Sequence, residues 1–306
     1  MLLRHGFEQV VVEHCLYVQC QNGKLQIISA WVDDLLLLGP DPDSTAEMKK
    51  MLSAEFEVHD LGEPRYLRGM EIMRDHWAGT VTLSQQQYIL RILKKQQMTD
   101  AKPVATPIDP NVTLLKRTEA PDTCASLLYA TAIGSLMYAA IGTRLDISFA
   151  VQTLSQFTQN PGPEHWIAVK RVFRYLQGTS NLSLTYGGAR SWPQQILTAY
   201  TDADYASNPN DWRSISGSTY IIGGAAIGWM SKKQTVTATS TCDSEYVAAA
   251  ACTRHVTWLR NLLQCLNFPQ ISATQIYCNN QAAISLTKDF QFHAKSKHID
   301  VHVHFI

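Results

Sequence analysis

The sequence predicts a mixed α/β (α+β) protein. Three observations carry that prediction. The N-terminal part reads as short apolar strands joined by turn residues. The middle of the chain reads as amphipathic helices. The last third alternates: a strand ending in acids, a hairpin, a helix carrying an acid, a strand ending in Asn, and a helix. The 306 residues leave room for two domains with substantial cores. The hydrophobic share of 45% is that of a globular chain, not a disordered one. The net charge of +0 argues against a uniformly basic nucleic-acid binder and leaves local basic stripes to be weighed. Seven cysteines without a Cys-x-x-Cys pair read as reduced thiols. The apolar run Leu35–Leu38 is far too short to span a bilayer. With no secretory signal, the expected location is intracellular, in cytoplasm or nucleus, without a membrane partner.

From the start, Leu2–Phe7 reads as a helix end stopped by Gly6. Cys15–Gln19 and Leu25–Trp31 read as strands around an Asn22-Gly23 turn. Val32-Asp33-Asp34 follows directly, and Leu35–Leu38 continues apolar. Two acids at a random turn are commonly just exposed; tight apolar strands on both sides make Asp33 and Asp34 candidate catalytic residues. Ser44–Phe56 has helical periodicity, with Ala46, Met48, Met51, Leu52 and Phe56 on one face. Asp60–Pro64 is a turn, and Tyr66–Met73 and Gly79–Leu83 read as strands. Ser84 caps a helix over Gln85–Gln97 that buries Tyr88, Ile89, Ile92 and Leu93. Its other face carries Arg91, Lys94 and Lys95, a solvated face or a phosphate contact.

Ala101–Pro121, with four prolines, reads as a linker. Helices are expected at Tyr129–Ile141, Asp146–Thr158 and Glu164–Gln177, with Pro161-Gly162-Pro163 before the last and Gly178 after it. The last helix sets Trp166, Val169, Val172 and Leu176 on one side and Lys170, Arg171 and Arg174 on the other. Core packing explains the first set; a phosphate contact is the candidate role of the second. Leu182–Tyr186 reads as a strand.

The C-terminal third carries the chemistry. An apolar run, Ile196–Tyr200, leads into Asp202 and Asp204, which a strand turns to one face. Two such carboxylates suit Mg²⁺, a hard cation bound by oxygen ligands. Ser218–Ile222 and Ala225–Ser231 form a hairpin about Gly223-Gly224. Ser240 or Thr241 caps an Ala-rich helix with Glu245 in its first turns, where an acid also simply favours the helix dipole. Thr274–Cys278 reads as a strand ending at Asn279-Asn280, and Gln281–Leu286 as a short helix. The tail holds Lys297-His298-Ile299-Asp300. An extended tail also groups His298, Asp300, His302 and His304 as an alternative transition-metal set.

This order and these words resemble the Pol polyprotein of copia-type LTR retrotransposons. The resembling words are Tyr-Thr-Asp-Ala-Asp-Tyr-Ala at 200–206, Arg213-Ser214-Ile215-Ser216-Gly217, Ser244-Glu245-Tyr246, Ile276–Gln281 and Lys297–Asp300. Trp31-Val32-Asp33-Asp34 is similar to that family's Tyr-x-Asp-Asp box. The resemblance implies the C-terminal portion of a reverse-transcriptase palm and thumb at 1–110. It implies a helical connection at 111–190 and a ribonuclease-H-like mixed sheet flanked by helices at 196–306. It further implies Mg²⁺-dependent hydrolysis of RNA in RNA–DNA hybrids, two Mg²⁺ ions, and catalytic positions Asp202, Glu245, Asn279 and Asp300. Asp202, Glu245 and Asp300 are the implied metal ligands. At the third position the family has Asp where this chain has Asn279, a neutral amide in place of a charge. The upstream polymerase acid has no counterpart here: Glu8 and Glu13 do not match its motif, so an incomplete polymerase site is expected. The rival reading is a catalytically degenerate remnant with weak nucleic-acid binding.

Overall fold

The computed structural model describes residues 1–120, 122–188 and 196–288. Its contacts divide the chain into two compact units, one of residues 1–64 with 254–274 and one of residues 65–253 with the chain from 275 onward. The described residues contain three four-stranded sheets and seven α-helices, the mixed α/β class expected.

In the first unit, β1 (Glu8–Gln9), β2 (Leu16–Gln21), β3 (Lys24–Trp31) and β4 (Asp34–Leu38) lie in that order in an antiparallel sheet. Asn22 and Gly23 both take positive φ, 52° and 76°, the two-residue geometry whose twist suits a hairpin. Helix α1 (Pro42–Glu55) starts two residues earlier than the apolar pattern suggests. Asp41 is its cap and accepts from the Ser44 amide at 2.8 Å. Met48 packs with Phe7 and Ile28 in the core of this unit, whereas Ala46 and Phe56 are exposed.

In the second unit, β5 (Tyr66–Leu67), β6 (Met70–Asp75), β7 (Thr80–Ser84) and β8 (Ser183–Gly187) form an antiparallel sheet. The single strand expected over Tyr66–Met73 is thus a hairpin: Arg68 and Gly69 take φ of 50° and 75° and reverse the chain. Helices α2 (Gln86–Lys95), α3 (Thr123–Gly142), α4 (Ser148–Ser155) and α5 (Pro163–Gly178) share one core. Ile89, Leu93, Tyr129, Leu136, Leu154, Val172 and Leu176 are all at or near zero exposure there, each stabilising by about 1.5–3 kcal/mol if counted as full burial of a large side chain. Helix α3 begins six residues before the expected Tyr129, because Asp122 caps it by accepting from the Cys124 and Ala125 amides. Among the described residues α3 is the one helix long and apolar enough to cross a membrane. Its Tyr129, Ala132, Ile133, Leu136, Ala139 and Ala140 are core residues of this layer.

The third sheet holds β9 (Thr198–Asp204), β10 (Ile215–Ile222), β11 (Ala225–Lys233) and β12 (Gln275–Tyr277), in the order β11-β10-β9-β12. The first three are antiparallel and β12 runs parallel to β9. A parallel partner needs a crossover, and α6 (Thr241–Cys265) provides its helical part. Helix α7 (Gln281–Lys288) follows β12, and its Leu286 packs on Tyr246 and Ala250 of α6.

One ion pair between a buried guanidinium and a half-buried carboxylate anchors the helical layer. Arg144, 1% exposed, donates through Nε and Nη2 to both Asp146 oxygens, at 3.0 and 2.7 Å, and to Thr179. Asp146→Ala strands that guanidinium in the core. It is expected to cost about 3–5 kcal/mol, read as a lower urea midpoint for the second unit; a loss under about 1 kcal/mol would contradict the assignment.

Candidate functional site

The strand β9 is a central strand, and its burial alternates. Ala199 and Thr201 are buried, while Tyr200, Asp202 and Asp204 face out together, as the period-two reading requires. The parallel register pairs Tyr277 with Tyr200. Two residues further along each chain stand Asn279 and Asp202, and Asn279 Nδ2 donates to Asp202 Oδ1 at 3.3 Å. The two tyrosine rings stack beside them, with centroids 4.9 Å apart and planes 18° apart. A groove of about 650 Å³ opens on this face, lined by Asp202, Asp204, Asn279, Tyr200, Tyr277 and Gly217 among others.

Glu245 comes from the first turns of α6. Ser240 Oγ caps the helix by accepting from the Asp243 amide at 3.1 Å. Gln234, just past β11, ties the helix start to the sheet: its Nε2 donates to Ser216 Oγ and to the Ser244 carbonyl, both at 2.9 Å. Glu245 is 6% exposed. Burial, with the Asp202 carboxylate second, raises its carboxyl to about 7, although the Ala203 backbone amide donates to it. The Cys278 thiol stands 4.0 Å from Glu245 Oε2 and is itself pushed up by burial. The structure therefore brings together Asp202, Glu245 and Asn279, positions spread over 78 residues of chain counted from 202 to 279. Asp300, with Lys297, His298, His302 and His304, lies outside the described residues.

The donor set suits a hard divalent cation in kind. Two carboxylates close enough that one of them is raised are what such an ion relieves, and Asn279 adds an amide oxygen. Among the described residues no group of three His, Cys, Asp or Glu forms a metal cluster. Asn279 stands where a third acid would make one.

Asp33 and Asp34 stand elsewhere. Val32 and Asp33 form the two-residue turn between β3 and β4, Trp31 pairs with Asp34, and all four residues are exposed. Glu8, on the far edge strand β1, is three strand spacings away across the sheet, roughly 14 Å, and the register sets it level with Leu38, four residues along β4 from Asp34. The basic candidates divide. Arg91, Lys94, Lys95 and Lys170 are exposed. Arg171 instead donates to the Thr106 carbonyl and hydroxyl and to Asp109, and Arg174 to the Lys102 carbonyl at 2.7 Å. These two arginines hold the proline-rich linker against α5. Sequence reasoning missed Gln234, Cys278 and the Tyr200–Tyr277 stack as parts of the site. The two tyrosines were legible only as members of the quoted words, and Gln234 had no signal.

Comparison with known proteins gives the lineage of the chain. The family of reverse transcriptase (RNA-dependent DNA polymerase) matches residues 1–110. The chain is 41% identical over 298 residues to the retrovirus-related Pol polyprotein from transposon TNT 1-94 of Nicotiana tabacum, covering 95% of this chain and 22% of that protein. It is 37% identical over its whole length to the Pol polyprotein from transposon RE1 of Arabidopsis thaliana, covering 20% of that protein. It is 31% identical to the putative transposon Ty5-1 protein of Saccharomyces cerevisiae, over 81% of this chain and 80% of that one. No solved structure matches. The chain belongs to the Pol polyproteins of copia-type retrotransposons, and it spans about a fifth of the length of the TNT 1-94 and RE1 proteins.

Two outcomes follow from this geometry. Glu245 carries a folded-state value near 7 against an ordinary 4.5. Below 4.5 both folded and unfolded chains hold the proton. Between 4.5 and 7 the unfolded chain has lost the proton and the folded chain keeps it, so stability falls across that window and levels off above 7. Unfolding in urea at pH 5 and pH 8 should show Glu245→Gln removing on the order of 2 kcal/mol of that fall; an unchanged slope would contradict it. Separately, Val32 is a β-branched residue at φ 52° and 89% exposed. Val32→Gly is expected to stabilise the first unit by about 1 kcal/mol, read as a higher urea midpoint.

Proposed function

We propose that the C-terminal part of this chain is a ribonuclease-H-type site that hydrolyses the RNA strand of an RNA–DNA hybrid with Mg²⁺. The observation that supports it is the meeting of Asp202 and Asn279 by hydrogen bond, with the raised Glu245 carboxyl beside them. Asp202 and Glu245 are the carboxylates that would hold the cation, with Asp300 added by resemblance to the family. Bound there, Mg²⁺ supplies Lewis-acid polarisation of the phosphate and a lowered pKa for attacking water. Asp202 faces the groove where a phosphate can approach, and Glu245 is buried beside it. To serve as a ligand near neutral pH, Glu245 would have to give up the proton that its raised carboxyl holds. Nucleic acid is the partner that reverse-transcriptase kinship suggests in general, and the hybrid is the specific substrate proposed. Asp33 and Asp34 have no third carboxylate among the described residues, and templated synthesis by this chain is not part of the proposal.

One observation favours a second reading, a degenerate site. The Asn279 amide spends an Asp202 oxygen on a neutral hydrogen bond where a carboxylate would bind a cation. Cleavage of a labelled hybrid in Mg²⁺ or Mn²⁺ separates the two. The hydrolase reading expects cleavage by the parent that Asp202→Asn lowers by about 100-fold or more, and faster cleavage by Asn279→Asp. A silent parent with an active Asn279→Asp assigns the loss to one missing charge. Silence in all three, with the proteins folded by circular dichroism, sinks the hydrolase reading.

A further inference from the structure

The loop of residues 205–214 springs from the end of β9 that carries Asp202 and Asp204, and it is built stiffly. Asn208, 4% exposed, donates from Nδ2 to Gln156 at 2.7 Å and accepts at Oδ1 from the Asn210 amide at 3.0 Å. The backbone closes on itself through Asn208 to Arg213 and Trp212 to Asn208. Ser214, fully buried, accepts from the Ala206 amide. Lys233 of β11 clamps the loop from below, donating to Asp211 at 2.8 Å and to Gln156 at 3.0 Å. Asn210 reaches out to the Leu114 carbonyl and the Lys116 amide.

What this framework presents is aromatic. Trp212 is 66% exposed and Tyr205 40%. Trp212 also sits at φ 55°, a conformation that bulky side chains rarely adopt. A stiff loop that holds an indole out of the core in a disfavoured backbone conformation does not serve packing. It supplies a π-face with its ordering cost already met, the feature on which bases stack with little regard to sequence.

We infer that the 205–214 loop is a stacking contact for the nucleic-acid strand that enters the groove, with Trp212 as its aromatic face. The inference rests on the hydrolase reading for the substrate, but its test is independent of cleavage. Binding of a fluorescent RNA–DNA hybrid is measured by anisotropy in EDTA, where no cleavage occurs. Trp212→Asn keeps a residue that tolerates positive φ and removes the ring, so the loop remains formed. It is expected to weaken binding roughly ten-fold, whereas Trp212→Phe retains most of the affinity. Trp77→Ala, at a 99% exposed position on the β6–β7 hairpin tip, serves as the control and binds like the parent. Parent-like binding by Trp212→Asn overturns the inference and leaves the hydrolase reading standing. An equal loss in Trp77→Ala also overturns it, because any exposed indole would then do the same. A parent that binds no hybrid in EDTA overturns the inference, and the cleavage assay with Mg²⁺ decides the hydrolase reading by itself.

Discussion

The parallel pairing of β12 with β9 is the contact on which the candidate site depends. Antiparallel neighbours need only a turn, and the β10–β11 hairpin is closed by Gly223 and Gly224, both at positive φ. A parallel neighbour has to be carried across by a long connection. Here that connection includes α6, and α6 brings Glu245 with it. The same crossover that completes the sheet therefore delivers the second carboxylate. A slip of one residue in this register would turn Asn279 to the opposite face from Asp202. Gln234 opposes movement of the helix by bonding the sheet and the helix start at once.

The electrostatics of the site follow from that closeness. Glu245 is buried beside another carboxylate, and the result is a carboxyl held near 7. Asn279 moderates the crowding, because a neutral amide donates to Asp202 without adding charge. The helical layer handles charge differently. Arg144 is buried and its partner Asp146 half-buried, and Tyr175 donates to Asp146 from the side, so that ion pair is satisfied within the fold.

Particular elements show how far local pattern reaches. The Asn22-Gly23 hairpin and the Gly6 helix stop stand as the residue types dictate. Tyr66–Met73 does not, because Arg68-Gly69 lacks the Asn or Asp that usually marks such a turn, and apolar residues stand on both sides of it. The early starts of α1 and α3 are set by Asp41 and Asp122, polar residues outside the apolar stripe used to find the helices. The strand at Ser183–Gly187 was legible as a strand, but not as a partner of β7, a residue separation of about a hundred that no periodicity encodes. Arg171 and Arg174 have the spacing of a phosphate-facing stripe, yet the folded linker occupies their donors.

By itself the sequence determined the mixed class, most of the elements, the lineage and the names of the candidate acids, because these depend on local propensity, short-range periodicity and words of a few residues. Tertiary structure alone decided that Asn279 bonds Asp202, that Glu245 is buried enough to hold its proton near neutrality, and that Tyr200 and Tyr277 stack beside them. Those outcomes depend on register between strands distant in the chain and on desolvation, and both arise only when the crossover has closed.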